Sequence, residues 1–286
     1  METKLTLKDQ ELVIGAGRPF AIIGERINPT RRKKLAASMA EGDFSIVQED
    51  ARRQVEAGAP VLDVNAGVPG ADEVSLLSGA VQAVMDVVQV PLCIDTANPD
   101  ALEAALGVYP GKALINSTTA EESMMERIFP LASQFGAAVI GVITDESGIP
   151  PTPDARLAVA RKLVDVAAKY DVPPEDIIID PLALTVGADP KAGKVTLDSL
   201  QLIRDELGVN MSLGASNVSF GLPDRKIINT TYLALAIARG MTAAITDPTV
   251  PEIQTTILAA DLLMGNDEYA MNWIKSYRKR SKRVDE

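Results

Sequence analysis

Eight short apolar runs recur along the chain, each followed by a stretch with helical spacing. This rhythm constrains the fold more than any other feature. The first four runs are FAIIGERIN (Phe20–Asn28), VLDVNAG (Val61–Gly67), PLCIDTA (Pro91–Ala97) and ALINSTT (Ala113–Thr119). AVIGVIT (Ala138–Thr144), DIIIDPL (Asp176–Leu182), NMSLGASN (Asn210–Asn217) and AAITDP (Ala243–Pro248) follow. Near-continuous Val/Ile/Leu composition is expected of parallel strands covered on both faces.

The segments between them carry helix signals. Asn98-Pro99-Asp100 and Thr152-Pro153-Asp154 each place a capping side chain before a proline at the first helical position. Thr119-Ala120-Glu121-Glu122 has the spacing of a capping box. Leu197, Leu200, Ile203 and Leu207 share one helical face, as do Val74, Leu77, Val81, Val84 and Val88. The units repeat every ~36 residues without sequence identity between them, so this is a fold rhythm and not a solenoid. Eight βα units in about 250 residues predict a single (β/α)8 TIM barrel. A doubly wound open sheet is the alternative, but the GERIN turn lacks its glycine fingerprint. The expected organisation is a β-type cap at 1–19, the barrel at 20–265, and a C-terminal helix with a basic tail at 266–286. The tail sequence KSYRKRSKR reads as a solvated helix end.

Composition narrows the chemistry. At 286 residues and 47% hydrophobic content, the chain can bury a large core. A net charge of −11 argues against nucleic acid as a partner, because phosphate binding needs a basic face. No apolar run has the length of a membrane span or signal segment, and the single cysteine, Cys93, fits a reducing compartment. A cytoplasmic protein is expected. The chain has no histidine, which removes His-based triads and, with one cysteine, argues against a zinc site. Catalysis here must run on carboxylates, amides, Lys/Arg, hydroxyls or a bound cofactor.

Polar residues collect at the C-terminal ends of the apolar runs. The first strand ends Glu25-Arg26-Ile27-Asn28, the second carries Asp63 and Asn65, and the third ends Asp95-Thr96. Asn116-Ser117-Thr118, Asp180-Pro181, Ser216-Asn217 and Thr246-Asp247 close later ones. Each alone reads as a turn former or helix cap. Together they converge on the C-terminal mouth, where TIM-barrel active sites lie. Buried carboxylates need partners, and a ligand presenting several donors supplies them. Arg26 and Arg225 are the basic residues the sequence places at the mouth. With no glycine cradle or lysine cluster, phosphate fits poorly. Mg²⁺ lacks a third acidic ligand of suitable spacing, so no metal is assigned. A flat heterocycle with amino and ring N–H groups, such as a pterin, fits better, since carboxylates bind a guanidine-like edge bidentately.

The ordered set GERIN, LDVNAG, CIDTAN, INSTT, IDPL and LGASNVSFG resembles the pterin-binding methyltransferases. These include the methyltetrahydrofolate:corrinoid methyltransferases and the folate domain of cobalamin-dependent methionine synthase. The resemblance runs from about Phe20 to Leu263. It implies a barrel that binds tetrahydrofolate, or 5-methyltetrahydrofolate, at the strand C-termini. Asp95, Asn116 and Asp180 correspond to ligands of the pterin edge, and Asn217 to the catalytic amide near N5, which bears the methyl group. Arg225, Glu25, Asn28, Ser216 and Gly214 match further pterin-binding positions. Phe220 stands where relatives can carry a polar residue.

The methyl acceptor implied is a corrinoid. The carrier motif Asp-x-His-x-x-Gly cannot occur in a chain without histidine, so the corrinoid is expected on a partner protein. The resemblance also implies a homodimer, consistent with the apolar helices TTYLALAIARG and PEIQTTILAADLLMG. A dihydropteroate synthase-like enzyme and a non-catalytic folate-binding module are the competing functions. The first would need a lysine near the seventh strand and an anion site near the last strands, which SLGASNVSFG and AITDPT do not supply.

Overall fold

A computed structural model describes residues 1–282. Two strands, β1 (Glu2–Leu7) and β2 (Gln10–Gly15), form an antiparallel hairpin. Eight more then alternate with helices: β3 (Ala21–Ile27), β4 (Val61–Asn65), β5 (Leu92–Asp95) and β6 (Leu114–Thr119) come first. β7 (Ala138–Val142), β8 (Ile177–Asp180), β9 (Asn210–Met211) and β10 (Ala243–Thr246) complete the set. They form one parallel sheet in the order β10-β3-β4-β5-β6-β7-β8-β9. Thr242 N donates to Met211 O (3.1 Å) and Ile245 N to Leu213 O (2.9 Å), which links the outer strands and rounds the sheet into a barrel. The TIM barrel is the architecture the rhythm predicts.

Alternation along the strands divides the core in two. Ile23, Val61, Cys93, Leu114, Ile140 and Ile178 fill the barrel interior, where they meet Leu5 and Ile14 of the hairpin. The hairpin is thus a plug for the N-terminal end of the barrel, tied down by Asn210 Nδ2 donating to Ile14 O and Thr3 Oγ1 (both 2.9 Å). The outward faces pack on the helix layer, with Leu62, Ile94, Ile115 and Ile179 fully buried there.

Helix starts follow local chemistry. Asn98 and Thr152 cap as expected, accepting from Asp100 N and Ala155 N. The capping box at Thr119 does not form. The helix Glu122–Phe135 begins without a side-chain cap, and Glu146 Oε1 accepts from Glu122 N (2.7 Å) instead. A carboxylate from the next loop has taken the role that the local sequence offered to Thr119.

One further expectation changes. The seventh strand does not run to Asn217. After Met211 only Gly214 bridges to Ile245, and Ala215–Ser219 is a 3-10 turn. The basic tail lies on a helix of its own within residues 266–286. The last barrel helix, Pro251–Met264, stops at Gly265 in the left-handed region (φ 81°), and a separate helix, Met271–Lys282, follows. Asp267 starts it by accepting from Asn272 N and Trp273 N (both 2.9 Å). Arg283 lies outside the described residues. Among those residues no helix is long and apolar enough to cross a membrane.

Candidate active site

The parallel register lines up three polar side chains on adjacent strands. Asn65 of β4 pairs with Asp95 of β5, which pairs with Asn116 of β6. Asn65 Nδ2 donates to Asp95 Oδ2 (3.0 Å). One layer deeper, Asp63 is 3% exposed and accepts from Asn116 Nδ2 (3.1 Å). The barrel sheet changes register at two places, between Gly24 and Ile27 and between Asn116 and Thr118. Both irregularities fall at the C-terminal mouth, where such bulges re-aim side chains.

Asp63 is the residue that sequence reasoning noted but did not assign. Burial first, and then the negative charge of Asp95, push its carboxyl well above the usual range. Burial at that depth favours the neutral form of the Asp63 carboxyl, and the neighbouring Asp95 reinforces that direction. Burial also raises Asp95, opposed by the Asn65 amide and by the Asp63 proton. The signal was available: alternation puts Val61, Asp63 and Asn65 on the inward face, in step with Cys93 and Asp95.

A cavity of about 800 Å³ opens above this floor. Asp63, Asp95 and Asn116 lie at its base, Glu25, Arg26 and Asn28 on one wall, and Ser216, Asn217 and Arg225 on another. Burial, followed by the charge of Asp247, raises the Glu25 carboxyl despite Arg26 and Arg225 nearby. The basic count at the mouth is higher than the sequence indicated. Arg31, Arg32 and Lys226 join Arg26 and Arg225, because the β3 loop and the turn after β9 fold towards each other.

Asp180 and Gly214 are not among the residues lining the cavity. The Asp180 carboxylate is turned to backbone, with Oδ1 accepting from Leu182 N (2.8 Å). Gly214 gives space instead of contact, since a Cβ there would meet Asn217 Nδ2 at 3.1 Å.

Burial pushes Asp180 up to about 6, against the lowering effects of the Leu182 and Gly214 N–H groups and of Arg156. Between its ordinary value of 3.8 and about 6, the folded chain holds a proton that the unfolded chain has lost. Stability therefore falls as pH rises through this window, and the whole cost is present above it. Asp180→Asn keeps an acceptor for Leu182 N and cannot ionise. In urea unfolding it should match the parent at pH 4 and exceed it by about 1 kcal/mol or more at pH 8. A variant less stable than the parent at pH 8 would contradict this.

Several of the mouth residues do have ordinary turn roles. Asn28 Oδ1 accepts from Thr30 N and Asp247 Oδ1 from Thr249 N (both 2.9 Å). Asn217 does not. It is exposed in the 3-10 turn, and among the described residues its side-chain amide makes no hydrogen bond within the chain. Beside it, Arg225 is held by Ser219 Oγ (3.0 Å) and Ser216 O (2.7 Å). The site thus joins a carboxylate-amide floor to one uncommitted amide.

Residues 24–247 match the family described as pterin binding enzyme. The chain belongs to that family. This pterin-binding enzyme is 30% identical over 265 residues to the methylcorrinoid:tetrahydrofolate methyltransferase of Eubacterium limosum, an alignment covering 90% of this chain and 96% of that protein. It is 29% identical over 246 residues to the methionine synthase of Mycobacterium leprae (strain TN), covering 79% of this chain but 20% of that longer protein. In three dimensions it resembles the dihydropteroate synthase of Thermus thermophilus solved with 4-aminobenzoate (TM-score 0.68, 21% identity, 91% of this chain and 99% of that one). At that identity the likeness concerns the fold alone.

Proposed function

We propose that this pterin-binding enzyme is a methyltransferase that moves a methyl group between N5 of 5-methyltetrahydrofolate and the cobalt of a corrinoid carried by a partner protein. The observation that carries this reading is the uncommitted amide of Asn217 over a floor of Asp95 and Asn116. Asp95 is an anionic acceptor for the guanidine-like edge of a pterin, and its hydrogen-bonded neighbours fix its orientation. Asp180, at the end of β8, holds the loop that follows by accepting from Leu182 N. The similarity to the Eubacterium limosum methyltransferase over nearly the full length of both proteins favours the same reaction class.

A tertiary amine bearing a methyl group is a poor leaving group. Hydrogen bonding or protonation at N5 improves it, and an amide that strengthens its bond as charge changes on N5 stabilises the transition state over the ground state. That role needs no titration, so it suits a chain without histidine. The corrinoid supplies the reactive metal centre; the protein binds and orients the pterin. By microscopic reversibility the same contacts serve either direction of transfer.

Mixing the protein with 5-methyltetrahydrofolate and cob(I)alamin in a stopped-flow instrument tests the proposal directly. Loss of the cob(I)alamin absorbance at a rate set by the enzyme is expected. An unchanged cobalt spectrum with normal folate binding would make the protein a binding module. Pyrophosphate-releasing condensation with para-aminobenzoate would instead support the synthase reading.

The homodimer belongs to the same proposal. The helices Arg225–Ala238 and Pro251–Met264 expose Ile227, Leu235, Leu263 and Met264, more apolar surface than a solvated outer layer needs. Light scattering at micromolar concentration should give twice the chain mass. A monomer mass would reject the dimer.

A further inference from the structure

The side-chain amide of Asn217 is uncommitted, but the backbone that carries it is tied down on both sides. Arg225 Nη2 donates to Ser216 O (2.7 Å), Val186 N to Val218 O (2.9 Å) and Thr185 Oγ1 to Phe220 O (2.8 Å). The carbonyls of Ser216, Val218 and Phe220 thus each have a partner outside the 3-10 turn. Two of the three donors come from the loop after β8. That loop is itself anchored at its base by Arg156, which is 1% exposed on the helix Pro153–Ala168. Its Nη1 donates to Pro181 O (2.7 Å) and Leu182 O (3.1 Å), and its Nε to Pro150 O (3.0 Å). Thr196 Oγ1 also donates to Leu182 O (2.8 Å). These anchors hold Leu182 in the left-handed region (φ 59°), a conformation unfavourable for a side chain of its size.

Thr185 is half-buried and is not among the residues lining the cavity. Its hydroxyl donates to Phe220 O and accepts from Gly187 N (3.3 Å), so it joins the β8 loop to the turn bearing Asn217. We infer that Thr185 is a positioning residue for the methyl transfer, its hydroxyl holding the turn so that the Asn217 amide meets the reacting nitrogen. This inference rests on the methyltransferase reading above. A donor aimed at a developing charge contributes only if its support keeps it in place, and a misplacement of about 1 Å can cost on the order of 10²-fold in rate. The carboxylate-amide floor of Asp95 and Asn116 stands on other strands, so a loosened turn leaves the pterin its main contacts. Phe220 is half exposed, and water can replace the lost donor at its carbonyl without unfolding the loop.

Three measurements on the full chain test the assignment: single-turnover transfer from 5-methyltetrahydrofolate to cob(I)alamin, calorimetry with 5-methyltetrahydrofolate, and urea unfolding. Thr185→Val keeps the shape and removes the hydroxyl. At saturating folate it should slow transfer on the order of tenfold, with affinity within about twofold of the parent and a similar urea midpoint. Thr185→Ser retains the hydroxyl and should restore the rate to within about twofold of the parent. Thr185→Ala, which adds no bulk to the loop, should repeat the valine result and replaces it if that variant unfolds. In an Asn217→Ala background, Thr185→Val should add no further loss, because no amide is left to position. A parental rate in Thr185→Val would overturn the inference, as would a serine variant as slow as the valine one. Equal losses in the two backgrounds would show that Thr185 does not act through Asn217, and equal losses of rate and affinity would make it a shaper of the pocket. A parent that binds folate but transfers no methyl group would remove the methyltransferase reading, and this inference with it.

Discussion

Replacing Asn217 by alanine should slow methyl transfer on the order of 10²-fold or more while changing folate affinity about threefold at most. The asymmetry follows from what the amide does in the free protein. It is exposed and bonded to nothing within the described chain, so its removal costs little stability and opens no cavity. Its contribution arises only when a ligand atom comes within reach, and a bond to N5 gains most when the charge on that nitrogen is changing. Asn217→Asp should recover part of the rate, because a carboxylate also interacts with a protonated N5. Single-turnover transfer at saturating folate, beside a separate binding titration, distinguishes the possibilities. Equal losses of rate and affinity would make Asn217 an anchor only. No loss of either would remove it from the reaction.

How far the sequence reveals this site depends on whether local or distant chemistry sets each position. The strand runs, inward alternation and capping residues Asn98 and Thr152 are local, and they are legible without coordinates. So are Asp95 and Asn116, because a polar residue at an inward strand end stands out against Val and Ile. Asn217 reads as a strand end but lies in a 3-10 turn, because two residues of β9 suffice once Gly214 bridges to Ile245. The capping box at Thr119 fails for a related reason, since Glu146 arrives from a loop that no local pattern connects to it. Basic residues at the mouth were undercounted because Arg31 and Arg32 lie past the strand end, in a loop whose direction the sequence does not specify. Asp180 shows the converse: it is at the expected strand end, but backbone N–H groups occupy its carboxylate. Position along a strand is readable; competition for a side chain's hydrogen bonds is not.

That competition also determines what should happen at Asp95. Asp95→Ala should weaken folate binding on the order of 10²-fold, the equivalent of roughly 1.5–3 kcal/mol for a charge-assisted hydrogen bond. The loss has a direct part, the missing acceptor for the pterin edge, and an indirect one. Without Asp95, the Asn65 amide loses its acceptor and Asp63 loses its charged neighbour. The fold should survive, because the packed interior layer of Ile23, Val61, Cys93 and Leu114 lies below these groups. Asp95→Asn separates the two parts, since it keeps the shape and removes the charge. With that charge gone, the coulombic influence of Asp95 on Asp63 disappears and burial, the largest cause, remains. The Asn variant should therefore bind folate weakly while unfolding in urea close to the parent, whereas the Ala variant should lose both affinity and some stability. Calorimetric affinities equal to the parent in both variants would mean that the pterin does not rest on this floor. Affinity lost in Ala but kept in Asn would assign Asp95 a role in shaping the pocket, with no charge of its own on the ligand.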